Sequence, residues 1–197
     1  MDKSDLKMSK PAVCVFCGSS FGDDPAFRDA ARVLGAGIAK MGCAMVFGGG
    51  GLGLMGDVAR AAREGGTAVE GILPGFLRDA EPPLTHGEDT EIVPDLFIRK
   101  QKMIARSDAF VVLPGGLGTY DEFFEVLTAA QLGVHAKPII VVNSNGYFGA
   151  LDAMVRASVA AGFARKIVLD LYHMVDTAEA ALEILRGRLV QTRAPSR

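Results

Sequence analysis

Phe110-Val-Val-Leu-Pro114-Gly-Gly-Leu-Gly-Thr119-Tyr-Asp-Glu122-Phe-Phe-Glu125 decides the fold of this chain. Ala109 to Leu113 is an apolar run rich in valine, which reads as a buried strand. Pro114 ends it, because proline has no amide hydrogen to give to a ladder. Gly115, Gly116 and Gly118 follow, and residues without a Cβ permit backbone angles and close approaches that side chains block. Thr119 is the expected helix N-cap, with Phe123, Phe124, Leu127 and Ala130 at helical spacing behind it. The unit is therefore strand, glycine turn, helix. Unbonded amides and the positive end of the helix dipole meet at Gly116 to Thr119, a combination that holds an anion such as phosphate. A tight turn with no ligand needs only one or two glycines, so the density of glycine here favours an anion site.

The same alternation runs outward in both directions. Ala12 to Cys17 reads as a first strand ending in Gly18-Ser19-Ser20, and Asp24-Pro25 opens a helix as N-cap and N1 proline, with Phe27, Ala31, Leu34 and Ile38 inward. Ala44 to Phe47 is a second strand, followed by the glycine loop Gly48 to Gly53. The next helix carries Met55, Val58, Ala59 and Ala62, and stops at Gly65-Gly66. Further strands are expected at Ala68–Leu73, Glu91–Val93, Pro138–Val142 and near His173–Val175. Helices are expected from Pro94-Asp95 to Ser107, from Phe148 to Ala161, and from Asp176-Thr177 to about Arg188. Residues 74 to 89, with Pro74, Pro82 and Pro83, read as an irregular loop. Apolar strands alternating with helices specify an α/β fold: a doubly wound, Rossmann-like parallel sheet of about seven strands with helices on both faces. Ligands in such folds bind beyond the carboxyl ends of the strands, so the three glycine-rich turns are expected to converge on one edge.

The chain has 197 residues, enough for one domain with a full core. The expected division is a loose tail at 1–10, a single nucleotide-binding domain at 11–190 and a frayed end at 191–197. A formal net charge of −2 gives no global basic field, which argues against nucleic acid or an anionic membrane as partner. Met1 to Lys10 lacks the apolar segment of a secretory signal, and no apolar run approaches the roughly 20 residues that span a bilayer. The cytoplasm is the default compartment.

Cys14 and Cys17 have the C-x-x-C spacing of a redox or zinc pair, but they lie on a strand, where residues three apart point to opposite faces. They read as core thiols, as does the isolated Cys43. His86, His135 and His173 are scattered without ligand spacing, so no structural zinc is expected. Gly51-Leu-Gly53-Leu-Met-Gly56 fits the G-x-G-x-x-G fingerprint between strand and helix. A dinucleotide site needs an acid about 20 residues on, at the end of the next strand, whereas Glu70 comes early and within a strand. Asp57 follows Gly56 where a Walker A loop needs Lys-Ser/Thr, which excludes that motif. The loop is better read as one that lets a nucleotide lie close to the backbone.

Glu122 supports two readings. Thr119-x-x-Glu122 has the spacing of a capping box. It also places a carboxylate beside the glycine turn at a helix N-terminus, where the dipole keeps it ionised and available for catalysis. Arg99, Lys100 and Lys102 open a helix on which Arg99, Met103 and Arg106 share a face. A solvated basic face is the alternative reading of that run.

The central stretch closely resembles the Pro-Gly-Gly-x-Gly-Thr-x-x-Glu signature of the Lonely Guy (LOG) family, cytokinin-activating nucleoside 5′-monophosphate phosphoribohydrolases often mislabelled lysine decarboxylases. The resemblance extends to Val15-Phe-Cys-Gly-Ser-Ser20, Gly48 to Gly56, Arg99-Lys100 with Met103, and Gln131-Leu-Gly-Val-His135. It implies hydrolysis of an adenosine 5′-monophosphate, with or without an N6-prenyl group, to free base and ribose 5-phosphate. Arg99 and Glu122 would be the catalytic residues. Gly18, Ser19, Gly49, Gly50, Arg99, Lys100, Gly115, Gly116, Gly118, Thr119 and Glu122 would line the substrate, the last glycines and Thr119 holding its phosphate. No metal or organic cofactor is implied, and a homodimer or larger homo-oligomer is. Asp121 and Glu125 read as helix-end and surface charges. The apolar helix bearing Phe123, Phe124, Leu127 and Leu132 serves either core or interface. Many relatives carry Met-His-x-Arg-Lys where this chain has Leu96-Phe-Ile-Arg-Lys100, a departure that bears on base recognition and leaves Arg99 in place. A nucleotide-binding protein of the same fold without hydrolytic activity is the alternative.

Overall fold

The computed structural model describes residues 10–84 and 89–191. The expected tails lie outside these residues but for their inner ends, as does His86. Seven strands form one parallel sheet: β1 (Ala12–Phe16), β2 (Ala44–Phe47), β3 (Val69–Pro74), β4 (Thr90–Val93), β5 (Ala109–Val112), β6 (Ile139–Val142) and β7 (His173–Val175). Their order is β4-β3-β2-β1-β5-β6-β7. The helices are α1 (Pro25–Lys40), α2 (Gly53–Glu64), α3 (Leu96–Arg106), α4 (Leu117–Gln131), α5 (Gly149–Ala160) and α6 (Ala178–Gln191). This is the doubly wound α/β sheet expected from the alternating pattern.

The winding reverses at β1, which pairs in parallel with both β2 and β5. Successive side chains of a strand point to opposite faces, and β1 divides accordingly. Val13, Val15 and Cys17 enter the core layer under α1, α2 and α6. Ala12, Cys14 and Phe16 enter the layer with Met103 of α3, Phe123 of α4 and Leu151 of α5. Both faces of the central strands are covered, so β1, β2, β5 and β6 are buried at every residue. That is why they read as continuous apolar runs and not as alternating ones. Cys14 and Cys17 fall in different layers, and burial pushes both thiols well above their ordinary range.

Helix starts follow local chemistry. Asp24 caps α1 by accepting the Ala26 amide at 2.9 Å, with Pro25 in the first turn. Asp95 caps α3 through the Ile98 amide at 2.8 Å. On α3, Met103 is fully buried while Arg106 pairs with Glu70 on β3 and, at 2.6 Å, with Glu91 on β4. Glu70 is thus taken up by an ion pair on the sheet. The stretch after β3 is less irregular than its prolines suggest. It makes a 3₁₀ turn at Gly75–Leu77, then returns antiparallel against the loop after β2, with a bridge between Gly50 and Pro83.

Candidate active site

Three turns meet at the carboxyl edge, beside the switch between β1 and β5. Gly18 N–H donates to the Pro114 carbonyl at 3.0 Å, tying the turn after β1 to the turn after β5. Met55 and Leu54 of α2 donate to the Gly18 and Ser20 carbonyls at 3.1 and 3.3 Å, which ties in the turn after β2. Glycine is required at these crossings. Gly53 has φ +59°, and a Cβ there would run into the Ser19 backbone. A Cβ on Gly115 would strike the Thr119 hydroxyl and the Gly18 amide. Tyr147 braces the same turn, its hydroxyl donating to the Gly115 carbonyl at 2.6 Å.

Helix α4 starts earlier than its sequence suggests. Gly116, with φ −88° and ψ −155°, is the N-cap, and no side chain caps it. The Thr119 and Tyr120 amides bond to the Gly116 carbonyl at 3.0 and 3.2 Å, so Thr119 lies inside the first turn and is not the cap. The expected anion site therefore shifts back to the amides of Gly116, Leu117 and Gly118, which precede these bonds. A Cβ added to Gly116 or Gly118 would meet no protein atom within 4 Å, so these glycines face open space.

The shift also removes the capping box, since Glu122 is now in the second turn. Its carboxylate turns to α3, where Arg99 Nη2 lies 3.8 Å from Glu122 Oε1, each side chain 11% exposed. The guanidinium lies against Gly48, where any Cβ would collide with Nη2. Among the described residues, Arg99 Nε and Glu81 Oε2 are the buried side-chain polar atoms that make no hydrogen bond. Glu122 was expected to stay ionised on the strength of the helix dipole. Burial instead pushes its pKa up to about 7, opposed by the nearby Arg99 and reinforced by the charges of Asp121 and Glu81. Desolvation wins because Glu122 stands a turn away from the helix end, where the dipole has faded.

Lys100 sits beside Arg99 in sequence but points elsewhere. Its ammonium pairs with Asp121 and Glu125 of α4, both at 3.0 Å. Phe97, 78% exposed, lies on that outer side, its ring 5.7 Å from the Lys100 nitrogen. Helix α4 divides its apolar residues: Phe123 and Leu127 are buried, Phe124 is half-buried and Leu132 is exposed. The arrangement brings together Gly18, Ser19, Gly49, Gly50, Arg99, Gly115, Gly116, Gly118, Thr119 and Glu122 around one edge, and engages the Lys100 ammonium with Asp121 and Glu125. Gly48 was legible as the start of the glycine loop but not as the seat of Arg99, and Tyr147 adds to no local motif. Glu81 gave no signal inside a proline-rich loop.

Residues 55–185 match the family described as "Possible lysine decarboxylase". A protein of Oryza sativa subsp. japonica named "Probable cytokinin riboside 5′-monophosphate phosphoribohydrolase" is 40% identical over 182 residues, covering 92% of this chain and 80% of the relative. An Arabidopsis thaliana cytokinin riboside 5′-monophosphate phosphoribohydrolase is 38% identical, over 88% of this chain and 80% of the relative.

The chain belongs to the LOG family.

The decarboxylase label attached to LOG sequences has no counterpart in this site, since Schiff-base chemistry needs a lysine amine free to react and the Lys100 amine is engaged by two carboxylates. The LOG fold is also shared more widely. The Moco carrier protein from Chlamydomonas reinhardtii has a TM-score of 0.70 to this chain at 22% identity, over 92% of this chain and 99% of the carrier.

Proposed function

We propose that this chain hydrolyses the N-glycosidic bond of adenosine 5′-monophosphate, or of its N6-prenylated form, releasing free base and ribose 5-phosphate. The observation that carries this reading is the buried Arg99–Glu122 pair set against a glycine-rich edge with an uncapped helix N-terminus. The amides of Gly116 to Gly118 suit a phosphate, which anchors the nucleotide at a point remote from the bond that breaks. The C1′–N bond parts with its electron pair on the base, which takes up a proton from solvent, and water adds to C1′ as it loses one. Ionised Glu122 suits the positive charge growing on the ribosyl carbon and, with a pKa near neutrality, can take the proton of the attacking water. Arg99 carries a fixed positive charge for the departing base or the phosphate.

The related readings go with this one. We infer a single catalytic domain over residues 11–190, in the cytoplasm. Among the described residues no helix is long and apolar enough to cross a membrane. A homodimer or larger assembly is supported by the exposed apolar groove of α3 and α4 with Phe97, Leu132 and Val134, and light scattering would measure it.

The deciding experiment is to incubate the purified protein with AMP, N6-isopentenyl-AMP, the matching nucleosides and NADH, and to follow products by chromatography. Free base and ribose 5-phosphate are expected from the monophosphates. The nucleosides are expected to lose about a hundredfold in kcat/KM, because binding energy from the phosphate orients the ribose against the buried pair. Binding of AMP with no product would make this a binding protein. Equal cleavage of nucleoside and monophosphate would remove the phosphate from the glycine turn.

A further inference from the structure

Glu81 stands over the glycine loop for structural reasons. The segment that carries it is stitched to the loop after β2 on both sides of the Gly50–Pro83 bridge: Gly51 donates to the Pro82 carbonyl at 2.7 Å, and Leu84 donates to the Gly49 carbonyl at 3.1 Å. A Cβ on Gly50 would lie 3.3 Å from Glu81 Cβ and 3.5 Å from its Oε2. Counted from the turn after β1, the strand-end position at which dinucleotide folds present an acid to the ribose hydroxyls falls at the end of β2, which holds Phe47 followed by glycines. The loop after β3 brings a carboxylate to the same edge from a different part of the chain.

That carboxylate is placed expensively. Oε2 is buried and accepts no hydrogen bond from any described residue. A buried acceptor without a donor costs about 1–3 kcal/mol, more when charged. A Cβ on Gly48 would meet Arg99 Nη2 and Met55 Sδ, and one on Gly50 would meet Met55 Cε and Glu81 Oε2, so Arg99 and Glu81 flank the same Met55 thioether. Arg99 Nε is likewise a buried donor without an acceptor. A carboxylate oxygen needs a donor and Nε needs an acceptor, and a hydroxyl provides both in one group. Of the parts of a nucleotide, the phosphate has no donor to offer and is repelled by a carboxylate, whereas the ribose diol has two hydroxyls beside the carbon that reacts.

We propose that Glu81 accepts a hydrogen bond from the ribose 2′,3′-diol and so makes the site specific for ribonucleotides. This rests on the proposed nucleotide hydrolysis. Such a bond also strengthens as positive charge grows on the ribosyl ring, so it aids turnover as well as selection. A Cβ on Gly50 would collide with Met55 Cε at 2.7 Å and come tight against Glu81 Cβ at 3.3 Å.

The test compares AMP, 2′,3′-dideoxyadenosine 5′-monophosphate and inosine 5′-monophosphate on wild-type protein, Glu81→Gln and Glu81→Ala. Binding is read by calorimetry and base release by chromatography, with circular dichroism as the check on folding. Wild-type protein is expected to bind AMP about a hundredfold more tightly than the dideoxy nucleotide, since a site built around a hydroxyl rejects the analogue that lacks it. In Glu81→Ala that ratio should fall to within a few-fold of one, mostly through weaker AMP binding. Glu81→Gln, which keeps the shape and can still accept a hydrogen bond, should fall between. A folded Glu81→Ala protein that keeps the wild-type ratio overturns the inference. So does a loss that separates AMP from inosine monophosphate and not from the dideoxy nucleotide, because Glu81 would then read the base amine. If the ratio collapses as expected but wild-type protein releases no base, the hydrolase reading fails and the ribose contact stands. Absence of AMP binding by wild-type protein overturns both.

Discussion

Arg99 Nη2 stands 3.8 Å from Glu122 Oε1 across the gap between α3 and α4, and neither side chain is more than 11% exposed. A closed charge-assisted hydrogen bond measures about 2.7–2.9 Å. The pair is therefore held close but not fully bonded, and Arg99 Nε is left without an acceptor. A structural ion pair buried this deeply needs its remaining polar atoms satisfied to offset desolvation. The hubs elsewhere in the molecule do this: Asp57, 4% exposed, receives Arg28 and Arg60 each at 2.6 Å. The open geometry of Arg99 and Glu122 supports the proposal that they complete their bonding on a ligand.

Glu122→Gln is expected to lower kcat by about a hundredfold or more while AMP affinity survives, since the change removes charge and keeps shape. Steady-state kinetics beside calorimetry with AMP measure the two. A variant with near wild-type kcat would leave Glu122 a purely structural partner of Arg99.

The pKa of Glu122 ties activity and stability to pH in opposite senses. Reaction needs the ionised carboxylate, so kcat/KM should rise with pH through about 7 and level off above it. Stability goes the other way. The folded protein holds this proton more tightly than the unfolded chain, whose carboxyl titrates near 4.5. The contribution of Glu122 is thus fully present below 4.5 and lost as pH rises through 7. The fall in Tm between pH 5 and pH 8 should be steeper in wild-type protein than in Glu122→Gln. Parallel melting profiles in the two proteins, or a flat kcat/KM across neutrality, would contradict the assignment.

Arg99→Lys should cost about a hundredfold in kcat/KM with the fold retained, although charge is conserved. Lysine loses the planar fork, and with it the free Nε that a ligand would bond. Activity within a few-fold of wild type would reduce Arg99 to a general source of positive potential.

Two neighbouring glycines should behave differently. Gly116→Val places a side chain in open space and at a φ that valine accepts, so folding should be retained while AMP affinity falls sharply, the new methyls standing where the anion is proposed to bind. Gly115→Ala drives its methyl into the Thr119 side chain and the Gly18 amide, and should lower Tm by several degrees. Calorimetry with AMP and thermal melts separate the two effects. Full AMP affinity in folded Gly116→Val would move the phosphate away from α4.

Much of this was open to reading in sequence. The alternation of apolar runs with amphipathic stretches, and the caps Asp24 and Asp95, are local properties that a window of about a dozen residues reveals. They were enough to specify a doubly wound parallel sheet and to send three glycine turns to one edge. Even the start of α4 was misplaced by only a few residues, because Thr119 is a good cap in isolation. Tertiary context overruled it: Thr119 packs over Gly115 inside the first turn, and Gly116 takes the cap. The remaining features depend on segments far apart in the chain. Lys100 follows Arg99 directly, yet a helical step of about 100° sends one charge to Asp121 and Glu125 and the other to Glu122. Gly48 is glycine because Arg99, half the sheet away in sequence, lies against it. The ionisation of Glu122 follows from how many layers of protein exclude water around it, and Glu81 reaches the site only because its loop zips back along Gly49 to Gly51. Local pattern determined which elements form and in what order. Burial, which no short window contains, decided which charges face each other and which of them can hold a proton near neutral pH.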